Sequence, residues 1–172
     1  MSKTQQEIDG LAQELVTLAR AANISLSTAE SCTGGGIATA ITEIPGCSRV
    51  FKGGIIAYAD FVKTSQLHVP ADLIEKHGAV SEPVALAMAE GANTALGTDM
   101  AVSVTGIAGP GGGTDDKPVG TVWIAIARKG CATAAHLFEL PNTGRADIRL
   151  WATREALKML CEAIENHKCP GK

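Results

Sequence analysis

Three short stretches carry residues whose types and spacing suit chemistry. The first is Glu30-Ser31-Cys32-Thr33-Gly34-Gly35-Gly36, a hydroxyl and a thiol followed by glycines, directly after an alternating apolar segment. This pattern reads as a strand, a tight turn and a helix start. A side-chain oxygen placed there meets free backbone N–H groups and the positive end of the helix dipole, which together can hold an oxyanion. Ser31 is therefore a candidate nucleophile, although serine is also a common N-cap and the two roles compete for one oxygen. Cys32 is the alternative nucleophile, because a helix N-terminus also favours thiolate. Glu30 reads chiefly as a local cap or ion-pair partner.

The second stretch holds Tyr58 and Lys63. Asp60 reads as the N-cap of a short helix, which puts Lys63 in its first turn, where a capping box would carry Glu or Gln and where positive charge is disfavoured. A neutral lysine in that place is a competent general base for a serine, and Tyr58 at the preceding strand end can relay or orient the proton. The ordinary alternative is a solvated surface lysine. The third stretch, Gly106 to Pro118, is rich in glycine. Gly109-Pro110-Gly111-Gly112-Gly113-Thr114 ends in Thr where a dinucleotide fingerprint needs glycine, and no G-K-[ST] follows, so it is neither a Rossmann fingerprint nor a Walker loop. Successive glycine amides can still cradle an anion, with the Thr105 hydroxyl as a further donor; the alternative is a flexible connector. Arg145 and Lys117 are candidate phosphate partners, against the commoner case of solvated charges. His68, His77, His136 and His167 follow no metal-ligand spacing, so no metal site and no cofactor are expected.

Elements must hold these residues in place. Ile8, Leu11, Leu15, Val16, Leu18 and Ala19 recur at helical spacing, predicting a helix over Gln5 to Ala22. Ile24 to Ala29 reads as a short strand, Ile37 to Glu43 as a helix and Val50 to Ala59 as a buried strand. Short helices follow from Asp60 to Leu67 and from Pro70 to Gly78. A longer helix capped by Ser81 runs to Leu96. Met100 to Thr105, Gly120 to Arg128 and Cys131 to Leu140 complete five strands, the last two an antiparallel pair. The final helix runs from Arg145 to Asn166, with Asn142 or Thr143 as its cap. The expected fold is α/β: three layers, α/β/α, around a mixed, mostly parallel five-stranded sheet, in a single domain over 1–172.

Composition narrows the function. A net charge of -3 and 3% aromatic residues give neither a basic field nor stacking platforms for nucleic acid, so no nucleic-acid partner is expected. No apolar run approaches the ~18 residues of a membrane helix, and Met1 to Gln6 lacks the apolar segment of a secretion signal, so a cytoplasmic protein without membrane contact is expected. Cys32, Cys47, Cys131, Cys161 and Cys169 form an odd set without C-x-x-C, expected to be mostly reduced thiols that fill small spaces. The abundance of apolar residues in a small domain favours a homo-oligomer.

The ordered set AESCTGG, GGIIAY-x(4)-K, GAVSE, TGIAGPGG and KPVGTV resembles the C-terminal domain of the CinA family over about residues 7 to 165. The short length is similar to the stand-alone form; longer members carry an additional N-terminal domain. The resemblance implies a metal-free serine amidohydrolase, acting in pyridine-nucleotide salvage, that converts nicotinamide mononucleotide to nicotinate mononucleotide and ammonia. It implies Ser31 as nucleophile, Tyr58 and Lys63 as its activators, and a small nucleotide substrate held by Thr33, Gly34, Thr105, Gly106, Gly109 and Arg145. A non-catalytic nucleotide-binding module is the alternative. The chain departs from the family pattern at Ala59, where many members have serine, at His68, where glycine is common, and at Thr143-Gly144, where Gly-Asp is more usual.

Overall fold

The apolar stripe of the first helix forms α1 (Lys3–Ala22), opened by the Ser2 hydroxyl, which accepts the Gln5 N–H, and closed by Asn23 in the left-handed conformation. It belongs to a computed structural model in which residues 2–166 are described. After α1 come β1 (Leu26–Glu30), α2 (Gly36–Thr42), a 3-10 turn (Cys47–Arg49), β2 (Phe51–Ile56), α3 (Asp60–Leu67), α4 (Ala71–His77) and α5 (Glu82–Leu96). The chain ends with β3 (Met100–Gly106), β4 (Thr121–Arg128), β5 (Ala134–Glu139) and α6 (Arg145–Glu165).

The strands form one five-stranded sheet in the order β2-β1-β3-β4-β5. β2, β1 and β3 are parallel, β4 runs against them, and β5 pairs antiparallel with β4. This is the mixed, mostly parallel sheet expected from the sequence, covered on both faces. Strand alternation sorts the core: Met100, Val102 and Val104 pack with Leu15, Ile37, Leu157 and Leu160 from α1, α2 and α6. Ala29 and Ala101 on the opposite face pack with Met88 and Val84 of α5 and Leu67 of α3. Small residues on that face let α5 approach closely, and the Ser103 hydroxyl donates to Ala85 O at 2.6 Å. The chain leaves β1 for β2 on one side and returns to β3 on the other, so the strand order reverses at β1. In such sheets the crevice outside the carboxyl ends of the strands, at the reversal, is where ligands bind.

Several local expectations give way to tertiary structure. Val50 to Ala59 is not a buried strand: β2 stops at Ile56 and alternates between half-buried and exposed, because it is an edge with one neighbour. Asp60 is not a cap; Ala59 holds the N-cap conformation of α3 and Asp60 is its first helical residue. Ser81 does precede α5, but its hydroxyl turns back to donate to Gly78 O at 2.8 Å. Gly144, at φ 131°, replaces Asn142 and Thr143 as the cap of α6, while the Thr143 hydroxyl donates to Asp147. His68 closes α3 at φ 54°, a left-handed position that glycine adopts freely and that costs another residue about 1 kcal/mol. Cys32, Cys47 and Cys161 are free thiols, whereas Cys131 is disulfide-bonded. Cys169 and His167 lie outside the described residues.

Two predictions follow from the packing. Gly91 in α5 faces the end of α3 so closely that an added methyl group would collide with the Leu67 carbonyl. Gly91→Ala should therefore lower stability by about 1–3 kcal/mol in urea unfolding, although Gly→Ala inside a helix ordinarily raises it. At the far end of the sheet, the Asp99 carboxylate accepts the Ser25 N–H at 2.8 Å and the Ser25 hydroxyl at 2.6 Å. These hydrogen bonds hold its carboxyl below the ordinary aspartate range. A depressed value in the folded state means that this stabilisation is complete above the unfolded value near 4 and is lost as pH falls through the folded one. Asp99→Asn should cost about 1–2 kcal/mol at pH 7, and the difference from the parent should shrink as pH falls from about 4 to 2 in denaturation series.

Candidate active site

Ser31 follows the last residue of β1, in the crevice where the strand order reverses. Its N–H donates to Val104 O at 2.9 Å, tying it to β3, and its carbonyl accepts the Gly34 N–H at 3.1 Å, closing the turn. The competition between capping and nucleophilic roles is resolved by its neighbour. The buried Glu30 carboxylate accepts the N–H groups of Gly35 (3.0 Å), Ile37 (3.1 Å) and Ala38 (2.8 Å), and the Thr28 hydroxyl at 3.2 Å. Glu30 thus caps α2, whose N-cap residue is Gly35, and the Ser31 hydroxyl makes no hydrogen bond among the described residues. The α2 amides expected to face an oxyanion are consequently spent on Glu30. The N–H groups of Cys32 and Thr33 in the preceding turn donate to no protein oxygen among the described residues, and both lie against the Cys32 sulfur, a weak acceptor.

Lys63 is 1% exposed, which excludes the solvated-surface alternative. Its Nζ donates to Tyr58 O at 3.1 Å and to Asp60 Oδ1 at 3.2 Å. Tyr58 lies just past Ala57, whose N–H donates to Glu30 O at 2.8 Å, so the amine sits at the carboxyl end of β2, one strand from Ser31. Tyr58 meets the amine through its main-chain carbonyl, and its phenol makes no hydrogen bond to Lys63 among the described residues. The phenol is 58% exposed and its oxygen accepts Arg145 Nη2 at 2.9 Å. Arg145 Nη1 donates to Gly109 O at 2.8 Å, so one guanidinium joins β2 to the glycine-rich loop. Gly109 has φ 78°, and a methyl group there would press on Val119, so only glycine suits this position.

Thr105 and Gly106 end β3 beside Ser31, but the Thr105 hydroxyl already donates its proton to Ala79 O at 2.8 Å. Lys117 is drawn away from the crevice and donates to His77 O at 2.8 Å, at the end of α4. Thr33 and Gly34 lie in the turn itself. Among the described residues, Thr33 Oγ1 is the one buried side-chain polar atom without a hydrogen-bond partner. Arg149 of α6, which no sequence motif singled out, donates from Nε to Cys32 O at 3.1 Å and from Nη2 to Thr33 O at 2.9 Å. Arg149 also lines a groove of about 700 Å³ with Gly34, Gly35, Gly36, Thr39 and Thr153. Among the described residues, no three His, Cys, Asp or Glu side chains are grouped to hold a metal, and no helix is long and apolar enough to cross a membrane.

Residues 8–164 match the CinA C-terminal domain. The chain belongs to the CinA family. It is 55% identical over 153 residues to a CinA-like protein of Parasynechococcus marenigrum, covering 88% of this chain and 36% of that protein. Against a CinA-like protein of Gemmatimonas aurantiaca the identity is 49% over 156 residues, with 91% and 36% covered. The chain thus spans about a third of the length of the curated CinA relatives it matches. Its fold agrees with the crystal structure of the competence/damage inducible protein CihA from Agrobacterium tumefaciens, at TM-score 0.91 and 42% identity over 96% of this chain and all of that one. It also agrees with the competence damage-inducible protein A from Klebsiella pneumoniae, at TM-score 0.89 and 32% identity over 94% of this chain and 99% of that one. Within this CinA domain, sequence reasoning missed Asp60 as the partner of Lys63 and Arg149 as a partner of the Ser31 turn. The Asp60-x-x-Lys63 spacing was a usable signal for the first; none existed for the second.

The Cys32 thiol packs in the core, where burial pushes its pKa up to about 12 despite partly compensating contacts with the Cys32 and Thr33 amides. It is therefore neutral throughout the physiological range, and a thiol is a far weaker nucleophile than a thiolate. Peptide mapping after brief iodoacetamide treatment of the folded protein at pH 8 should find Cys32 unmodified, with labelling only after denaturation.

Proposed function

We propose that this chain is a serine amidohydrolase that converts nicotinamide mononucleotide to nicotinate mononucleotide and ammonia. The observation that carries the reading is the release of Ser31 from capping: Glu30 holds the amides at the start of α2, leaving a hydroxyl with no structural duty at the sheet edge that also carries the buried Lys63 one strand away. Tyr58 O and Asp60 Oδ1 accept hydrogen bonds from Lys63 Nζ, and the third position on that nitrogen is the one that takes the Ser31 proton in this reading. Ser31 Oγ attacks the carboxamide carbon as its proton passes to Lys63 Nζ, and the Asp60 carboxylate balances the resulting ammonium charge. The carboxamide oxygen becomes an oxyanion opposite the Cys32 and Thr33 amides. Lys63 then gives its proton to the departing nitrogen, the C–N bond breaks, ammonia leaves, and an acyl ester remains on Ser31. Water attacks that ester with Lys63 again taking a proton, releasing nicotinate mononucleotide and restoring the hydroxyl. Arg145, with donors beyond those on Gly109 and Tyr58, and the glycine-rich loop face the nucleotide end of the substrate.

An ammonia-release assay with the mononucleotide, riboside and dinucleotide tests the reading, and the mononucleotide should be the preferred substrate. Ser31→Ala should abolish turnover while Cys32→Ala keeps most of it. Lys63→Met should lower kcat by about 10²–10⁴ with substrate affinity nearly unchanged, and Lys63→Arg should not rescue it, since guanidinium stays protonated. Chelators should leave the rate unchanged. Mononucleotide binding without ammonia release at any pH would replace the amidase by a nucleotide-binding module.

A further inference from the structure

The turn after Ser31 is held from outside its own segment. Arg149 grips two consecutive carbonyls, Cys32 O through Nε at 3.1 Å and Thr33 O through Nη2 at 2.9 Å. In a planar trans peptide the C=O and the N–H of the same unit point in opposite directions. Fixing the Cys32 carbonyl therefore fixes the Thr33 N–H, and fixing the Thr33 carbonyl fixes the Gly34 N–H. The second of these N–H groups closes the turn on Ser31 O. The first donates to no protein oxygen and meets only the Cys32 sulfur, a weak acceptor, and its aim is set by the guanidinium behind it. A charge on the carbonyl side also polarises the amide and strengthens the N–H as a donor.

The surroundings are built for this reach. Gly36 has no room for a side chain, since a methyl group would stand 2.9 Å from Thr153 Oγ1, so α6 lies close against the start of α2. Thr153 Oγ1 donates to Arg149 O at 2.9 Å, and Gly34 at φ 61° lets the turn pass under the guanidinium. The same arginine borders the groove along Gly34 to Gly36, which raises the competing role of a direct contact to a substrate anion. Its Nε proton and one Nη2 proton are on the main chain, and the groove side keeps the remaining N–H groups, so the kcat-against-KM split below separates the two roles.

We propose that Arg149 is a positioning residue that aims the Thr33 N–H at the carboxamide oxygen by clamping the Cys32 and Thr33 carbonyls. The proposal rests on the amidase reading for its catalytic consequence, whereas the clamp itself is testable without turnover. The experiment compares the parent with Arg149→Gln and Arg149→Lys in ammonia release from nicotinamide mononucleotide and in amide hydrogen exchange of the unliganded proteins. Arg149→Gln should lower kcat about 100-fold with KM changed less than about threefold, the size of losing one oxyanion donor. Arg149→Lys, which restores the charge but only a single-point contact, should recover a minor part of that loss. Exchange at Thr33 and Gly34 should quicken at least about tenfold in Arg149→Gln while amides of α1 and α5 keep the parent rate, which also shows that the fold persists. Unchanged exchange at Thr33 and Gly34 would overturn the clamp, and a raised KM with unchanged kcat would make Arg149 a substrate contact instead. Quickened exchange in a protein whose parent releases no ammonia would sustain the clamp and remove the amidase reading.

Discussion

One buried carboxylate organises the site. Glu30 lies at the end of a strand covered on both faces, where an unpaired charge would cost several kcal/mol. Two main-chain N–H groups of α2, that of its N-cap Gly35 and the Thr28 hydroxyl meet it there. Those same N–H groups would otherwise be orphans at the start of a seven-residue helix, too short to form by itself. Each solves the other's problem: the helix solvates the charge, and the charge starts the helix at a fixed point on the sheet. Ser31 stands between the two and is needed by neither.

The sheet topology then brings the remaining groups to that point. Parallel β2, β1 and β3 deliver their carboxyl ends to one edge, so Tyr58, Ser31 and Thr105 emerge side by side. Lys63, one turn into α3, folds back under Tyr58 and is buried with its nitrogen on the Tyr58 carbonyl and Asp60. The carbonyl is a fixed acceptor that does not titrate, and the carboxylate is a half-exposed counter-charge. This pairing meets the requirement that a buried amine have polar partners whichever protonation state it holds.

The first turns of α6 close the arrangement. Arg145 and Arg149 lie one helical turn apart and project from one side of the helix. Arg145 spans Tyr58 and Gly109, and Arg149 spans Cys32 and Thr33. A single rigid element, anchored through Ile148, Ala152, Leu157 and Leu160 in the core, thereby fixes the strand end, the glycine-rich loop and the nucleophile turn relative to one another.

The layered α/β architecture, nearly every helix and strand, and the strand-turn-helix at Ser31 are written in short-range pattern: helical spacing, alternation, and the places of glycine and proline. Those signals act between residues within a turn or two of each other, so a sequence carries them openly. The four residues from Asp60 to Lys63 also fall within that range, yet their pairing was hidden because Asp60 offered a cap as well. Which oxygen caps α2 could not be decided locally, since Glu30 and Ser31 are adjacent and only burial on the sheet selects the carboxylate. That β2 is an edge depends on strand order, which no stretch of its own residues encodes. The grip of Arg149 on a turn 117 residues earlier in the chain, and of Arg145 on a tyrosine 87 residues earlier, exists only after α6 packs against α2. Directed hydrogen bonds between distant segments require both to be fixed within a few tenths of an ångström, and only the folded core supplies that constraint.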